Sequence, residues 1–181
     1  MCGGRGTRLG GETEKPLVSV GGAPTIDRVC DALVASRVDG VYAAVSPHAP
    51  ETRDHLGSAP VTVVETPGDG YVADLTAALE RVGRPALTVA ADLPLLASDA
   101  VNRVVAAADG SLVVAVPVAL KRQLGVSVDT TVDGDGGDRR LAPTGINVVA
   151  GTDDHIYVSD DPRLAVNVNR PRDLQVAEAL S

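Results

Sequence analysis

Met1–Leu17 reads MCGGRGTRLGGETEKPL, and the rest of the chain is organised around it. Gly3, Gly4 and Gly6 open a loop that side chains would obstruct, and Arg5, Arg8 and Lys15 surround it with positive charge. Glycine populates positive φ readily and lets backbone N–H groups come close to a ligand. Such N–H groups with cations at their rim suit a polyphosphate. The bland alternative is a mobile, glycine-rich chain end. Two other phosphate loops are excluded. No Gly-Lys-Ser/Thr follows the glycines, so this is not a Walker A loop. The glycines lack G-x-G-x-x-G spacing, so it is not a dinucleotide fingerprint.

Downstream of the loop, apolar runs and amphipathic segments alternate. Leu17–Val20 is a short apolar segment closed by Gly21-Gly22. Ile26, Val29, Cys30, Leu33 and Val34 recur at helical spacing and predict a helix from Thr25 to about Ser36. Val41–Val45 and Val61–Glu65 read as strands, with a short helix over Pro50–Leu56 between them. Val72, Leu75, Ala78, Leu79 and Val82 share one face of a helix from Tyr71 to Val82. Ala86–Ala90 is a strand, Ser98 caps a helix to about Ala108, and Ser111–Pro117 is a strand. Gly145–Val149, Ile156–Val158 and Leu164–Val168 read as further strands, and Pro171 opens a last helix to Leu180. Asp129–Asp138 is a polar excursion or hairpin. This alternation predicts an α/β fold of three layers, a mostly parallel mixed sheet covered by helices on both faces, in a single domain over 1–181.

Composition narrows the function. The 181 residues suffice for one domain with a sizeable core, and no apolar run is long enough to span a bilayer. The net charge of −8 argues against general nucleic-acid binding. Cys2 and Cys30 have no metal or redox spacing, so a reduced, cytoplasmic setting is the default. Eighteen aspartates and six glutamates stand against fourteen arginines and two lysines, Lys15 and Lys121. An acidic, lysine-poor surface keeps proteins soluble at high salt, so a halophilic source is expected. A GC-rich genome would produce a similar bias.

Asp92 sits at the C-terminal end of an apolar strand, where open α/β sheets bind ligands. A carboxylate there can hold Mg²⁺ against phosphate oxygens, or simply make a local turn bond before Pro94. In Asn167-Val168-Asn169, alternation puts both asparagines on one face, able to point towards phosphates. Asn169 could equally cap the last helix. His48, His55 and His155 are scattered in polar stretches and read as solvated. Asp133–Asp138 lacks the EF-hand ligand order and reads as a solvated acidic loop.

Gly3-Gly4-Arg5-Gly6-Thr7-Arg8 followed by Lys15-Pro16-Leu17 resembles the signature loop of sugar-phosphate-type nucleotidyltransferases. Several further stretches resemble, more narrowly, the archaeal GTP:adenosylcobinamide-phosphate guanylyltransferase family. They are Ala44-Val45-Ser46-Pro47 with Pro50 and Thr52, Gly68-Asp69-Gly70-Tyr71-Val72-Ala73-Asp74-Leu75, Pro143–Val149 and Asn167–Leu174. The Gly-Tyr-x-x-Asp-Leu and Ile-Asn-Val-Val pieces are the more discriminating. Related molybdenum cofactor enzymes carry a different segment in place of the first.

The resemblance implies guanylyl transfer from GTP to adenosylcobinamide phosphate, with pyrophosphate leaving and Mg²⁺ as cofactor. Gly3, Gly4, Arg5, Gly6 and Thr7 would cradle the phosphates, with Arg8 and Lys15 neutralising their charge. Asp92 and Asn169 would hold Mg²⁺, with Asn167 in support. Ser46, Gly70, Tyr71, Asp74 and Asn147 would complete the nucleotide or acceptor site. A homodimer is compatible with this reading. The alternatives are a molybdenum cofactor guanylyltransferase and a non-catalytic GTP-binding protein. In one respect the chain departs from the family. An apolar strand of about five residues usually leads into the glycine loop, whereas only Met1 and Cys2 precede it here. The expectation is a first strand truncated by a misplaced start.

Overall fold

A computed structural model describes residues 1–2, 13–134, 139–151 and 154–181. The glycine-loop residues Gly3, Gly4, Arg5, Gly6, Thr7 and Arg8 lie outside the described residues, as does part of the acidic excursion.

Lys15–Leu17 forms a single 3₁₀ turn with Pro16 buried. The strands β1 (Ser19–Val20) and β2 (Ala23–Pro24) then pair as a tight antiparallel hairpin. Gly21 and Gly22 connect them with φ of 57° and 84°. Two successive positive φ values match the strand twist that a two-residue hairpin needs, and glycine adopts them without steric cost. Helix α1 (Thr25–Val34) follows directly and buries Ile26, Val29 and Cys30, the face expected from their spacing.

The next elements are β3 (Tyr42–Val45), α2 (Pro50–Leu56), β4 (Thr62–Glu65), α3 (Tyr71–Val82), β5 (Ala86–Val89), α4 (Ser98–Ala107) and β6 (Ser111–Pro117). All lie within about two residues of the expected bounds. One detail differs. Ala97 occupies the N-cap of α4 without a side-chain cap bond, and Ser98 is already helical.

Beyond Pro117 two expectations change, and one helix appears where the sequence suggested no element. Val118–Leu124 is a helix, α5, which has too few turns to show an apolar period; Gly125 ends it in the left-handed region at φ 76°. The strand expected at Gly145–Val149 is longer: β7 (Val132–Asp133) pairs with the start of β8 (Arg140–Val149). Leu164–Val168 is not a strand. Pro162–Ala165 forms a 3₁₀ turn instead, with the Asp161 carboxylate accepting from Arg163 N. Leu164, Ala165, Val166 and Val168 are all buried, and an apolar run buried all round imitates a central strand. The chain ends with β9 (Asp154–Val158) and α6 (Pro171–Leu180).

The sheet is mixed. Strand β8 lies between β5 and β6, antiparallel to both, while β9 runs parallel to β6. The β3–β4 pair is parallel and forms a separate ribbon. Among the described residues, Met1 and Cys2 link the two sets through backbone hydrogen bonds. Cys2 bridges Val45 in parallel and its N–H donates to Ala44 O at 2.9 Å. Met1 N donates to Val89 O at 3.0 Å.

Residues of α1, α4, β5, β6 and β8 share the largest core cluster, including Val29, Val101, Val104, Val114, Val116 and Ile146. A smaller cluster joins Val20, Val126, Val166, Val168 and Ala177 beneath α6. Among the described residues no helix is long and apolar enough to cross a membrane.

Candidate active site

Strand β5 delivers the chain to Asp92. Just beyond the strand, Ala90 N donates to Gly145 O of β8 at 2.9 Å. Gly145 has φ 86°, and a Cβ there would stand 2.8 Å from Ala90 Cβ. Only glycine permits so close an approach, and it brings Asp92 against the segment that precedes α6. Val168 N donates to Asp92 O at 2.9 Å. With Val166 and Val168 turned into the core beneath α6, alternation sends Asn167 and Asn169 the other way.

Lys15 completes the cluster. Its Nζ lies 2.6 Å from Asp92 Oδ2 and also donates to Asn169 Oδ1. Asn167 Nδ2 donates to Asp92 Oδ1 at 3.0 Å and to Thr144 O at 2.8 Å. Asn167 Oδ1 accepts in turn from Lys121 Nζ at 3.1 Å, which also donates to Ala165 O at 2.7 Å. Both oxygens of Asp92 are thereby engaged, one by a cation and one by an amide.

Asn169 does not cap α6 with its side chain. Arg170 occupies the N-cap, and Asp173 Oδ2 accepts from both Asn169 N at 3.1 Å and Arg170 N at 2.9 Å. The same carboxylate accepts from Ser127 N and Ser127 Oγ. Capping is done by Asp173, which leaves the Asn169 amide facing Lys15.

Lys15 is positioned by its neighbour. The buried Glu14 accepts from Glu51 N at 2.9 Å, Thr52 N at 2.8 Å and Thr52 Oγ1 at 2.6 Å. Those N–H groups belong to the first turn of α2, where a carboxylate is favoured. Pro16 follows with fixed φ, so Lys15 leaves a clamped backbone.

Sequence reasoning singled out neither Glu14 nor Lys121 for this role. Glu14 showed no distinguishing pattern. Lys121 carried one signal, its rarity as the second of two lysines in an arginine-rich chain. It is buried at 4% exposure, and desolvation pushes its pKa below the ordinary lysine value.

The other expected site residues lie elsewhere. Ser46 is buried, with Oγ accepting from His48 N at 3.3 Å. Asp74 is buried and its Oδ1 accepts from Gly68 N at 2.7 Å, so it shapes the Thr66–Gly70 turn. Gly70, at φ 111°, precedes α3 and has open space where a Cβ would stand. Tyr71, the first residue of α3, is 55% exposed. Asn147 Nδ2 faces Thr88 Oγ1 at 3.4 Å in the β5–β8 pair. None of these five has a hydrogen bond to Lys15, Asp92 or Asn169 among the described residues. Of the histidines, His48 meets Gly68 O at 3.2 Å and His55 meets Asp27 at 2.6 Å.

As a place for a divalent cation, the Asp92–Asn169 pair offers one carboxylate and one amide oxygen, and the Lys15 ammonium sits against both. Mg²⁺ typically takes one or two carboxylates and draws its remaining ligands from water and substrate phosphate. A point that already attracts a cation, lined by two hard oxygens, fits that need. Among the described residues no group of three or more His, Cys, Asp and Glu could hold a metal.

Residues 1–126 match the MobA-like NTP transferase domain. The chain is 34% identical over 196 residues to the adenosylcobinamide-phosphate guanylyltransferase of Methanocaldococcus jannaschii, covering 99% of this chain and 94% of that protein. In three dimensions it is similar to a hypothetical transferase from Thermus thermophilus, with TM-score 0.66 and 19% identity over 88% of this chain and 90% of the other. It is also similar to a CMP:2-keto-3-deoxy-manno-octonic acid synthetase complexed with CTP. That likeness has TM-score 0.65 and 14% identity over 92% and 91% of the two chains. These two structural likenesses establish the nucleotidyltransferase-like fold alone.

Proposed function

This chain belongs to the MobA-like NTP transferase family, and from that premise we propose that it transfers GMP from GTP to adenosylcobinamide phosphate. The products are adenosylcobinamide-GDP and pyrophosphate. The carrying observation is the meeting of Lys15, Asp92 and Asn169 at the C-terminal end of β5. The full-length relationship to a guanylyltransferase with that acceptor supports the choice of substrates.

In this reaction a phosphate oxygen of the acceptor attacks the α-phosphorus of GTP, and the bond to pyrophosphate breaks. The nucleophile is already ionised at neutral pH, so no general base is required. Catalysis then rests on in-line positioning and on charge neutralisation. Lys15 places its ammonium against phosphate oxygens as negative charge moves onto the leaving group. Arg8 and the N–H groups of Gly3, Gly4, Arg5, Gly6 and Thr7 are assigned to the same polyphosphate.

Asp92 and Asn169 would hold Mg²⁺, which supplies Lewis-acid neutralisation of phosphate charge. Asn167 fixes the Asp92 carboxylate by donating to its other oxygen. Ser46, Gly70, Tyr71, Asp74 and Asn147 are assigned to the base or the corrinoid through family likeness, and Asp74 is a candidate carboxylate for the guanine edge. A cytoplasmic setting is supported by the two free, buried thiols of Cys2 and Cys30.

The test is pyrophosphate release from purified protein with GTP and Mg²⁺, offered adenosylcobinamide phosphate or molybdenum cofactor in parallel. Release with the corrinoid acceptor is the expected result. Release with molybdenum cofactor alone would reassign the acceptor. GTP binding without release in either arm would leave a nucleotide-binding protein.

A further inference from the structure

Lys15 has two assignments that it cannot satisfy at once. In turnover its ammonium belongs against phosphate oxygens. In the folded chain it donates to Asp92 Oδ2 at 2.6 Å and to Asn169 Oδ1, the two oxygens assigned to Mg²⁺. One ammonium therefore stands where a divalent ion would make both of its protein contacts. Each cation excludes the other by volume and by like charge.

The two oxygens are held in place without help from Lys15. Asn167 Nδ2 fixes the other oxygen of Asp92 at 3.0 Å, and Val168 N donates to Asp92 O. The fully buried Asp173 anchors Asn169 through its backbone N–H at 3.1 Å. Both oxygens would keep their positions if the ammonium left. It can leave while its backbone stays. Glu14 and Pro16 clamp the main chain on either side, and the charge sits at the end of a flexible four-carbon stem.

Charge decides which cation prevails. Asp92 contributes one negative charge, which Lys15 cancels at contact, and Lys121 stands within electrostatic reach as a second cation. Mg²⁺ sheds water reluctantly and draws most of its ligands from water and substrate phosphate. Arriving alone, it gains too little from one neutralised carboxylate and one amide to displace the lysine. A triphosphate changes both sides of the exchange. It gives the metal further oxygens and gives the ammonium other acceptors. A ligand moves such an equilibrium only through its different affinity for the two arrangements.

Building on the guanylyl-transfer reading, we propose that Lys15 guards the metal position. Without nucleotide it keeps free divalent ions off Asp92 and Asn169, and it moves onto the phosphates as the metal arrives with GTP. Metal entry and nucleotide entry are then one event.

The test uses Mn²⁺ and α,β-methylene GTP without an acceptor, so no turnover is needed. Lys15 and Lys121 are the only two lysines, so a nitrogen-15 spectrum of side-chain ammonium groups reads Lys15 almost alone. Mg²⁺ by itself should leave the Lys15 signal in place, and Mg²⁺ with the analogue should shift it. By electron paramagnetic resonance, nucleotide-free wild type should bind Mn²⁺ no better than Asp92→Asn does. Lys15→Met should bind it at least ~10-fold more tightly than wild type, within the usual scale of coupling between two ligands. Adding Asp92→Asn to Lys15→Met should abolish that gain. The proposal is overturned if nucleotide-free wild type binds Mn²⁺ as tightly as Lys15→Met. It is equally overturned if the Lys15 signal ignores the analogue, a result that decides the matter even should Lys15→Met fold poorly. Mn²⁺ that fails to broaden Asn169 with the analogue bound would overturn it too, by removing the metal assignment beneath it. Absence of pyrophosphate release with every acceptor, beside the expected binding results, would sink the transfer reading and leave the guard standing.

Discussion

Lys15 Nζ stands 2.6 Å from Asp92 Oδ2 although 77 residues separate the two in sequence. Both side chains are largely withdrawn from solvent, at 22% and 14% exposure. Removing the lysine leaves Asp92 and Asn169 without their shared cation; neutralising the aspartate removes the charge that holds it. Lys15→Ala and Asp92→Asn are each expected to lower pyrophosphate release at least ~100-fold, the scale of losing one transition-state charge partner. The double variant should fall little further, because the two are paired and are assigned to the same phosphate charge. Near-normal turnover in either single variant would remove the assignment.

Lys121 never reaches the surface, and its two hydrogen bonds fix the Asn167 amide so that Nδ2 faces Asp92. Lys121→Met should lower kcat by about 10-fold with little change in KM for GTP, since it disturbs orientation rather than binding. It should also remove a stability slope at high pH. Burial lowers the folded-state pKa of Lys121, so the unfolded chain holds the proton at pH values where the folded chain has released it. Wild-type stability therefore rises with pH through that window, up to the ordinary lysine value near ~10.4. Parallel wild-type and variant curves of melting temperature against pH would refute this.

Glu14 joins the loop side of the site to α2 through three hydrogen bonds. Glu14→Ala leaves two N–H groups and a hydroxyl without their acceptor. The expected loss is about 2–4 kcal/mol, from unsatisfied donors and a lost helix cap. Calorimetry of Glu14→Ala, Thr52→Val and the double variant checks it, with clear non-additivity expected because the two share a bond.

Arg163 donates to both Asp99 and Asp161, and Arg103 does likewise, tying α4 to the turn ahead of Asn167. Hydrogen bonds from Arg163, above all, hold both carboxyls below the usual aspartate range. Their folded pKa values are depressed, so the contribution is fully present above about pH 4 and fades as pH falls towards the folded values. Arg163→Met should melt earlier than wild type at pH 6, and the gap should shrink on acidification to about pH 2.5. A gap that stays constant would argue against the network.

The acidic, lysine-poor composition leads to an expectation about salt. At net charge −8, screening relieves self-repulsion, so the melting temperature and turnover should both rise between dilute buffer and roughly 1–2 M KCl. No change across that range would leave genomic base composition as the source of the bias.

Helical spacing placed α1 and α3, and apolar runs placed β3, β5 and β6, because those patterns repeat within a few residues of one another. Asp92 was legible from its place at the end of an apolar run, and Asn167 and Asn169 from simple alternation. The same logic failed at Leu164–Val168, where burial on every side imitates a strand. It gave no reading at Val118–Leu124, a seven-residue helix too short to show a period. Glu14 and Lys121 had no local pattern at all, since their partners lie 37 and more residues away.

The chain's order of residues alone determined the α/β alternation, the cationic glycine-rich opening and which groups are proposed to handle phosphate. Tertiary structure alone decided that Lys15 meets Asp92 and Asn169, that Lys121 is buried behind Asn167, and that β3 and β5 stand apart. The physical reason is range. Periodicity and turn chemistry are local properties of a segment, whereas contacts spanning 77 and 154 residues depend on which strands become neighbours in the sheet.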